Sequence, residues 1–412
     1  MATKQELAQM PAGVTMGTDV VVPRLPISER DRRYKNVRAE MKKSGIDVLL
    51  LPANHTRWDQ MMADSRYLTT IGGYATETFT VFPLEGEVTA GLFNRSAWWK
   101  RAQDWVTDVR DCSNNWSQLV IDRLRELNFP KDGTIGISGL GWLQRAPDGI
   151  IPYSTVTKIK EAFPQARIVD CSDMMQQQRS VKSDIEVDLM RQSLKIIETM
   201  VEAVAAHAKP GVTEKELYAT MVGTMLASGG EPSLLIFGTG AGIHGGQFAP
   251  TNRVLAQGDM IVGETQSNFC GYSGQIVQPI SLGAQSQEYM DLLKASRDCV
   301  LAIGEGMKVG NTMGDLMDIY EKTVKGFGKA DYEFSHPPMH ARGLGDEFPY
   351  QTKAVDPAKY RAIPLVSGMT FVVKPRVRSS TSKKSGHIGD TITVRPNGGE
   401  RLGTRKLELR VV

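Results

Sequence analysis

Two adjoining segments near the middle of the chain each combine an apolar run with a polar one. The first, residues 261–266, runs from isoleucine and valine to a polar Glu-Thr-Gln ending, and the second, residues 272–277, returns from a polar stretch to isoleucine and valine. Two such short runs joined by a glycine-containing turn predict an antiparallel hairpin of β-strands. The side chains of Glu264 and Gln275 are then expected to point into one cleft.

The N-terminal part predicts alternating helices and strands. Residues 28–44 carry apolar positions at helical spacing, Gly45 is expected to end that helix, and residues 46–51 read as a buried strand. The same order of helix and strand returns at residues 116–138, and residues 78–93 predict a hairpin between them. This pattern indicates an α/β domain.

A long amphipathic helix is expected to open the second half of the chain. Ser183 is a suitable N-cap, with Glu186 at the capping-box position, and a turn followed by a helix start appears at residues 210–217 and again at residues 308–316. The expected organisation is an N-terminal arm (1–25), an α/β domain (26–173) and a larger C-terminal domain (174–412).

Length and composition narrow the class of protein. A chain of 412 residues exceeds the size at which one core usually stops growing, so two domains are expected. Apolar residues make up 41% and charged residues 23%, which is typical of a soluble globular enzyme. The net charge of +3 argues against a nucleic-acid-binding surface.

The chain shows neither a targeting signal nor a cysteine motif. No apolar run approaches the ~18 residues of a membrane span, so neither a signal peptide nor a membrane partner is expected. The four cysteines are scattered without a Cys-x-x-Cys spacing, which gives no support for structural zinc or a disulfide framework. A cytoplasmic location is expected.

Four motifs in a fixed order resemble a known family. They lie at residues 264–275, 339–349, 368–374 and 387–394. Together they are similar to the pita-bread family of creatinase, prolidase, aminopeptidase P and methionine aminopeptidase, and the resemblance covers roughly Pro26 to Val394. It implies an α/β N-terminal domain, an α+β pita-bread C-terminal domain, and a homodimer acting on a small-molecule substrate.

The resemblance also locates the family's five metal ligands, which are two Asp, one His and two Glu. In this sequence those positions hold Glu264, Gln275, His340, Lys374 and Gly389. Four positions are altered, and a lysine at the centre would repel metal ions. Because a buried charge must be paired or neutralised, the expectation is a site without metal or cofactor in which Glu264 pairs with Lys374. The alternative is that Lys374 points to solvent.

The segment around His340 suggests a base. Its His…Gly-Leu-x-Asp-Glu-aromatic-Pro arrangement is similar to the dimethylsulfoniopropionate lyase branch of the family, where the Asp removes a proton beside a carboxylate. By this resemblance Asp346 is the candidate base, His340 orients or shares the proton, and Lys374 stabilises the developing charge. The alternative is an Asp that caps a turn.

A glycine-rich segment at residues 239–247 lacks the Lys-Ser/Thr pair of a phosphate loop. In the family this place holds a polar group at the mouth of the cleft, which for creatinase is the catalytic His. Here it falls on Gln247, with His244 close by; a loop histidine bonded to backbone is the alternative. The expected substrate contacts are His244, Gln247, Gln266, Tyr272, Gln275, Arg342, Glu347 and Arg376.

The first-choice function is a metal-independent lyase that cleaves a carbon–heteroatom bond of a small carboxylate or amide by proton abstraction. A creatinase-like C–N hydrolase, with His244 or Glu264 activating water, is the second hypothesis. A non-catalytic binding protein is the third, and a metal-dependent Xaa-Pro aminopeptidase is ranked last.

Overall fold

The structure is a computed structural model. It describes residues 15–16, 23–54, 60–74, 76–113, 115–241, 249–350 and 356–412. The chain divides into two compact units between Arg179 and Ser180.

The N-terminal unit is built on a six-stranded mixed sheet in the order β6-β5-β4-β3-β7-β8. Its strands are β3 (Val48–Leu51), β4 (Thr78–Pro83), β5 (Thr89–Leu92), β6 (Asp108–Asp111), β7 (Thr134–Ile137) and β8 (Arg167–Asp170). Two short strands precede it, β1 (Thr15–Met16) and β2 (Pro23–Arg24). Its helices are α1 (Ile27–Ser44), α2 (Ala63–Thr69), α3 (Ser96–Ala102), α4 (Trp116–Glu126) and α5 (Tyr153–Ala162), and α6 (Ser172–Ser180) follows.

Local chemistry explains the elements of this unit. Helix α1 buries Val37 and Met41 and ends at Gly45, whose φ of 65° is the left-handed conformation that glycine adopts without strain. Strands β4 and β5 form the predicted antiparallel hairpin. The expected alternation of helices and strands is therefore present.

The C-terminal unit combines three sheets with longer helices. The sheets have the orders β11-β10-β12-β20 with β9 also paired to β10, β14-β15-β18-β19, and β13-β16-β17. The strands are β9 (Leu235–Gly240), β10 (Met260–Phe269), β11 (Tyr272–Val277), β12 (Ile280–Ser281), β13 (Tyr332–Phe334), β14 (Met339–Ala341), β15 (Thr370–Val373), β16 (Arg376–Ser379), β17 (Ser385–His387), β18 (Asp390–Thr393), β19 (Glu400–Arg401) and β20 (Arg410–Val411). The helices are α7 (Asp184–His207), α8 (Glu214–Ala227), α9 (Gln287–Gly306), α10 (Met313–Gly326) and α11 (Pro357–Arg361).

Capping boxes start the helices of this unit where the sequence predicts them. Ser183 and Glu186 form a reciprocal capping box at the start of α7, and Thr213 and Thr312 do the same at α8 and α10. The main core lies between helices α9 and α10 and the strands, and includes Leu316. These contacts fix the strands that carry the site residues.

None of the helices in the described part of the chain is both long enough and apolar enough to cross a bilayer.

Candidate active site

An ion pair joins two strands in the C-terminal unit. Glu264 lies on β10, Lys374 directly follows β15, and Lys374 Nζ is 2.5 Å from Glu264 Oε2. The two side chains are 21% and 18% exposed, so the pair is accessible without being solvated on all sides. The pair predicted from the sequence is present, and Lys374 does not point into bulk solvent.

Hydrogen bonds extend this pair into a chain of polar groups. Gln275 Nε2 donates to Glu264 Oε2 at 2.8 Å, and Arg342 Nη2 donates to Gln275 Oε1 at 3.0 Å. Arg342 Nη1 in turn lies 2.8 Å from Asp346 Oδ1, and both of these side chains are buried. Two cations and two carboxylates therefore balance to zero within one cluster.

His340 on β14 lies beside this cluster in its neutral form. Its Nδ1 is 3.2 Å from the carbonyl oxygen of Ala341, and since a carbonyl only accepts, Nδ1 carries the proton and Nε2 keeps its lone pair. Burial, followed by Lys374 and Arg342, lowers the pKa of His340 to about 3, while Asp346 opposes part of the shift. The buried Nε2 has no hydrogen-bond partner among the described residues.

The two partners of the ion pair influence one another's protonation. Burial acts to raise the pKa of Glu264, but the neighbouring ammonium of Lys374 outweighs it, and the resulting pKa lies below the ordinary value. Burial lowers the pKa of Lys374, and Glu264 offsets part of that shift. The short contact and the opposite charges favour the ionised form of both groups.

Two residues beside Lys374 complete its surroundings. Gly389 lies so close that a side-chain carbon built on it would be 2.5 Å from Lys374 Cβ. His387 Nε2 lies 3.2 Å from the carbonyl oxygen of Lys374 and donates to it. Burial, more than any other influence, lowers the pKa of His387 to about 4. No sequence motif singles out this histidine, whose hydrogen bond is to the backbone.

Some residues expected to contact the substrate form hydrogen bonds with other groups of the protein. Tyr272 donates its hydroxyl to Glu186 Oε1 at 2.7 Å, and Gln266 Nε2 donates to Ser233 Oγ at 2.6 Å. Arg376 is an exposed residue of β16. For Tyr272 and Gln266 the expectation is corrected, because both are buried and their polar groups hold neighbouring segments.

Glu347 also departs from the expectation. It forms a fully buried ion pair with Lys182, each side chain being 1% exposed. Lys182 stands just before the helix N-cap Ser183 in a largely polar segment, Gln176 to Ser183, so the sequence offers no local signal that this lysine is buried. His244 and Gln247 lie outside the described residues.

Comparison with known proteins identifies the family. Residues 188–396 match the model of metallopeptidase family M24, and residues 33–181 match the creatinase/prolidase N-terminal domain. The chain therefore belongs to metallopeptidase family M24. The two-domain pita-bread fold predicted from the sequence is confirmed.

Named relatives and solved structures agree with this assignment. The chain is 23% identical over 268 residues to an Xaa-Pro dipeptidase from Pyrococcus furiosus, covering 64% of this chain and 74% of that protein. An X-Pro aminopeptidase from Thermotoga maritima has a similar structure, with a TM-score of 0.75, 20% identity, and coverage of 92% and 99% of the two chains. The dipeptidase PepE from Mycobacterium ulcerans superposes with a TM-score of 0.70 at 22% identity, covering 94% and 99%.

These matches overturn the first-choice function. The family is one of metallopeptidases and its named relatives here are dipeptidases and aminopeptidases, which are hydrolases. The expectation of a metal-independent lyase is therefore wrong, and so is the ranking that put a peptidase last. The comparisons support an enzyme of the hydrolase class.

Family membership implies metal ions, and the side chains that converge here do not fit a pair of divalent cations. Among the described residues, Glu264 is the one carboxylate in contact with Lys374 and Gln275, and its Oε2 already contacts an ammonium. Within the described ranges, no group of three or more His, Cys, Asp or Glu side chains is arranged to hold a metal. Divalent cations favour sites with several anionic or imidazole ligands.

Proposed function

We propose that the protein hydrolyses a C–N bond of a small peptide or amide substrate at the cluster of Glu264, Lys374 and His340. The observation that carries the proposal is the pairing of an ammonium with a carboxylate beside a neutral imidazole in a chain of family M24. Such a cluster offers both hydrogen-bond donors and acceptors to a substrate and a water molecule.

Lys374 is the proposed electrostatic stabiliser. An ammonium carries three N–H donors, and one of them is directed to Glu264 Oε2. In the proposal, the others bind the carbonyl oxygen of the scissile amide. Negative charge develops on that oxygen when water attacks the carbonyl carbon, and a fixed cation in a partly buried site stabilises it.

Glu264 is the proposed acceptor of the water proton. Its Oε2 holds Lys374 and Gln275, and in the proposal its Oε1 accepts the water proton. The proton that Glu264 takes from water passes to the leaving nitrogen as the C–N bond breaks, which yields a carboxylic acid and an amine. The acid then loses its proton to the amine, giving a carboxylate and an ammonium. His340 Nε2, which remains an acceptor because the ring is neutral, would hold the same water.

Asp346 and Arg342 have supporting roles in this proposal. Arg342 orients Gln275 and thereby Glu264. Asp346 lies 4.0 Å from His340 Nδ1, where its charge offsets part of the lowering of the imidazole pKa. In this scheme Glu264, Gln275, His340, Lys374 and Gly389 occupy the positions of the family's metal ligands.

The experiment measures hydrolysis of a panel of Xaa-Pro dipeptides, other dipeptides and small N-acyl amides, with the products analysed by mass spectrometry in ¹⁸O-water. The expected result is turnover of a panel member, with one solvent oxygen in the new carboxylate. Glu264→Gln should lower kcat by on the order of 100-fold or more. Glu305→Gln, a change at an exposed glutamate on α9, is the matched control and should leave kcat unchanged.

Two outcomes would contradict the proposal: absence of turnover across the panel, or full activity of Glu264→Gln. The homodimer and the cytoplasmic location expected from the sequence stay predictions. Light scattering of the purified protein tests the first, and cell fractionation tests the second.

A further inference from the structure

A second ion pair joins Lys182, just before α7, to Glu347, the residue after Asp346. The ammonium of Lys182 contacts Glu347 Oε2, and both side chains are 1% exposed. Lys182 Nζ also donates to the carbonyl oxygen of Ser180 at 3.1 Å. The ammonium is therefore held by a carboxylate and a carbonyl within the interior of the C-terminal unit.

The backbone of Lys182 is fixed to the segment that leads into β15. Its N–H donates to the carbonyl oxygen of Gly368 at 3.2 Å, and Val181 pairs with Met369. A side-chain carbon on Gly368 would lie 2.4 Å from the carbonyl oxygen of Lys182, so the two segments are in close contact. Strand β15 ends one residue before Lys374. Lys182 is therefore hydrogen-bonded to the segment that leads into the strand preceding Lys374, the proposed electrostatic stabiliser.

The carboxylate of Glu347 organises the other side of the site. Its Oε1 accepts the N–H of Leu344 at 3.0 Å. A side-chain carbon on Gly343 would lie 2.5 Å from that oxygen, so the backbone wraps closely around the carboxylate. The segment 342–347, here called the site loop, carries Arg342 at its start and Asp346 next to Glu347.

We infer that Lys182 is a positioning residue: through Glu347 it holds the site loop against the strand that carries Lys374. The pair joins the two segments that carry Arg342 and Lys374. Lys374 contacts Glu264 directly, and Arg342 reaches it through Gln275. The catalytic part of this inference rests on the proposed function; the structural part does not.

A stabilising role alone does not account for this arrangement. A buried ion pair costs desolvation of both charges and is often no more stabilising than apolar side chains of similar volume. What the charges add here is direction, because Glu347 Oε1 accepts the N–H of Leu344 while Oε2 contacts the ammonium of Lys182. Second-layer contacts of this kind fix the geometry of reacting groups.

The test compares the wild-type protein with the double variant Lys182→Met/Glu347→Gln, which removes both charges at nearly constant volume. Lys182→Arg keeps the charge and serves as the conservative rescue, and Lys195→Met, at an exposed lysine on α7, is the matched control. Hydrogen–deuterium exchange is followed in peptides covering residues 339–349 and, as an internal reference, in α9. kcat and KM are measured separately on the substrate found with the panel.

The double variant should exchange amide hydrogens of the site loop about 10-fold faster or more, with α9 unchanged. Its kcat should fall by roughly 10- to 100-fold while KM changes little, because misplacing reacting groups by a fraction of an ångström is enough for such a loss. Lys182→Arg should restore most of both properties, and Lys195→Met should match the wild type.

Wild-type exchange in the site loop of the folded double variant would overturn the inference, whatever the activity. Faster exchange with an unchanged kcat would overturn the catalytic part. If the panel yields no substrate, the proposed function fails while the exchange experiment still decides the structural part. If the double variant does not fold, the same exchange and kinetic measurements are made on Glu347→Asp, which shortens the carboxylate arm and keeps its charge.

Discussion

Gly389 and Lys374 are packed against each other so closely that a side-chain carbon on Gly389 would lie 2.5 Å from Lys374 Cβ and 2.9 Å from its Cα. The backbone of Gly389 is held in place by hydrogen bonds in both directions with Val277. The absence of a side chain at residue 389 is thus a condition for the position of the lysine.

Gly389→Ala should therefore destabilise the protein. The added methyl group meets backbone and Cβ atoms that cannot move independently, and overpacking of this kind costs about 1–3 kcal/mol. The free energy of unfolding in urea measures the effect. Gly223→Ala is the matched control: Gly223 lies within α8 with open space around it, and this change should be neutral or stabilise by up to about 1 kcal/mol. A Gly389→Ala protein as stable as the wild type would contradict the close packing.

The pair of Glu264 and Lys374 should show thermodynamic coupling. Lys374→Met leaves a partly buried carboxylate without its cation, and Glu264→Gln leaves the ammonium without its anion, so each single change should cost about 1–3 kcal/mol, with the partial exposure of the pair limiting the loss. The double variant should cost less than the sum of the two, with a coupling energy of about 1 kcal/mol or more. Urea unfolding at pH 7 of all four proteins measures this cycle, and simple additivity would show that the contact contributes nothing.

Metal affinity should respond to the charge at residue 374. Lys374→Glu with Gln275→Asp would place three carboxylates and His340 around the same space, and divalent cations prefer such ligands. The variant should bind Mn²⁺ at least about 10-fold more tightly than the wild-type protein, as measured by isothermal titration calorimetry. Equal affinities would show that the lysine does not set the cation preference of this site.

Stability should decline as the pH falls below about 6.5, because both site histidines are held neutral by the fold. Burial is the main cause that lowers the pKa of His387 from 6.5 to about 4 and that of His340 from 6.5 to about 3. A group with a lowered folded pKa takes up its proton first in the unfolded chain, so its contribution is complete above pH 6.5 and decreases toward pH 4. Each such histidine adds a slope of about 1.4 kcal/mol per pH unit between pH 5 and 6.

His387→Asn should reduce that slope by about 1.4 kcal/mol per pH unit relative to the wild type. Urea unfolding at pH 5.0, 5.5 and 6.0 measures it, since most carboxylates stay ionised over this range. An unchanged slope would mean that His387 takes up a proton in the folded protein as readily as in the unfolded chain.

Local sequence signals predicted much of the fold. The N-cap at Ser183, the end of α1 at Gly45, and the hairpin that carries Glu264 all depend on residues within a few positions of each other, and the structure has each of them. The pairing of Glu264 with Lys374 was also predicted, because the family resemblance places both residues at metal-ligand positions and a buried charge needs a partner. The class of activity was not predictable in this way. The altered metal-ligand positions and the segment around Asp346 favoured a lyase, and the comparison with known proteins corrected that expectation.

By itself the sequence determined which segments form strands and helices and which charges had to be neutralised inside the protein, since periodicity, capping and the cost of burying a charge act locally. The tertiary structure decided which partners do this. The hydroxyl of Tyr272 donates to Glu186, 86 residues away, and Glu347 forms an ion pair with Lys182. Strand alternation tells on which side a residue lies, but only the packing of distant segments determines which polar group it meets there, because a hydrogen bond requires its two atoms within about 3 Å.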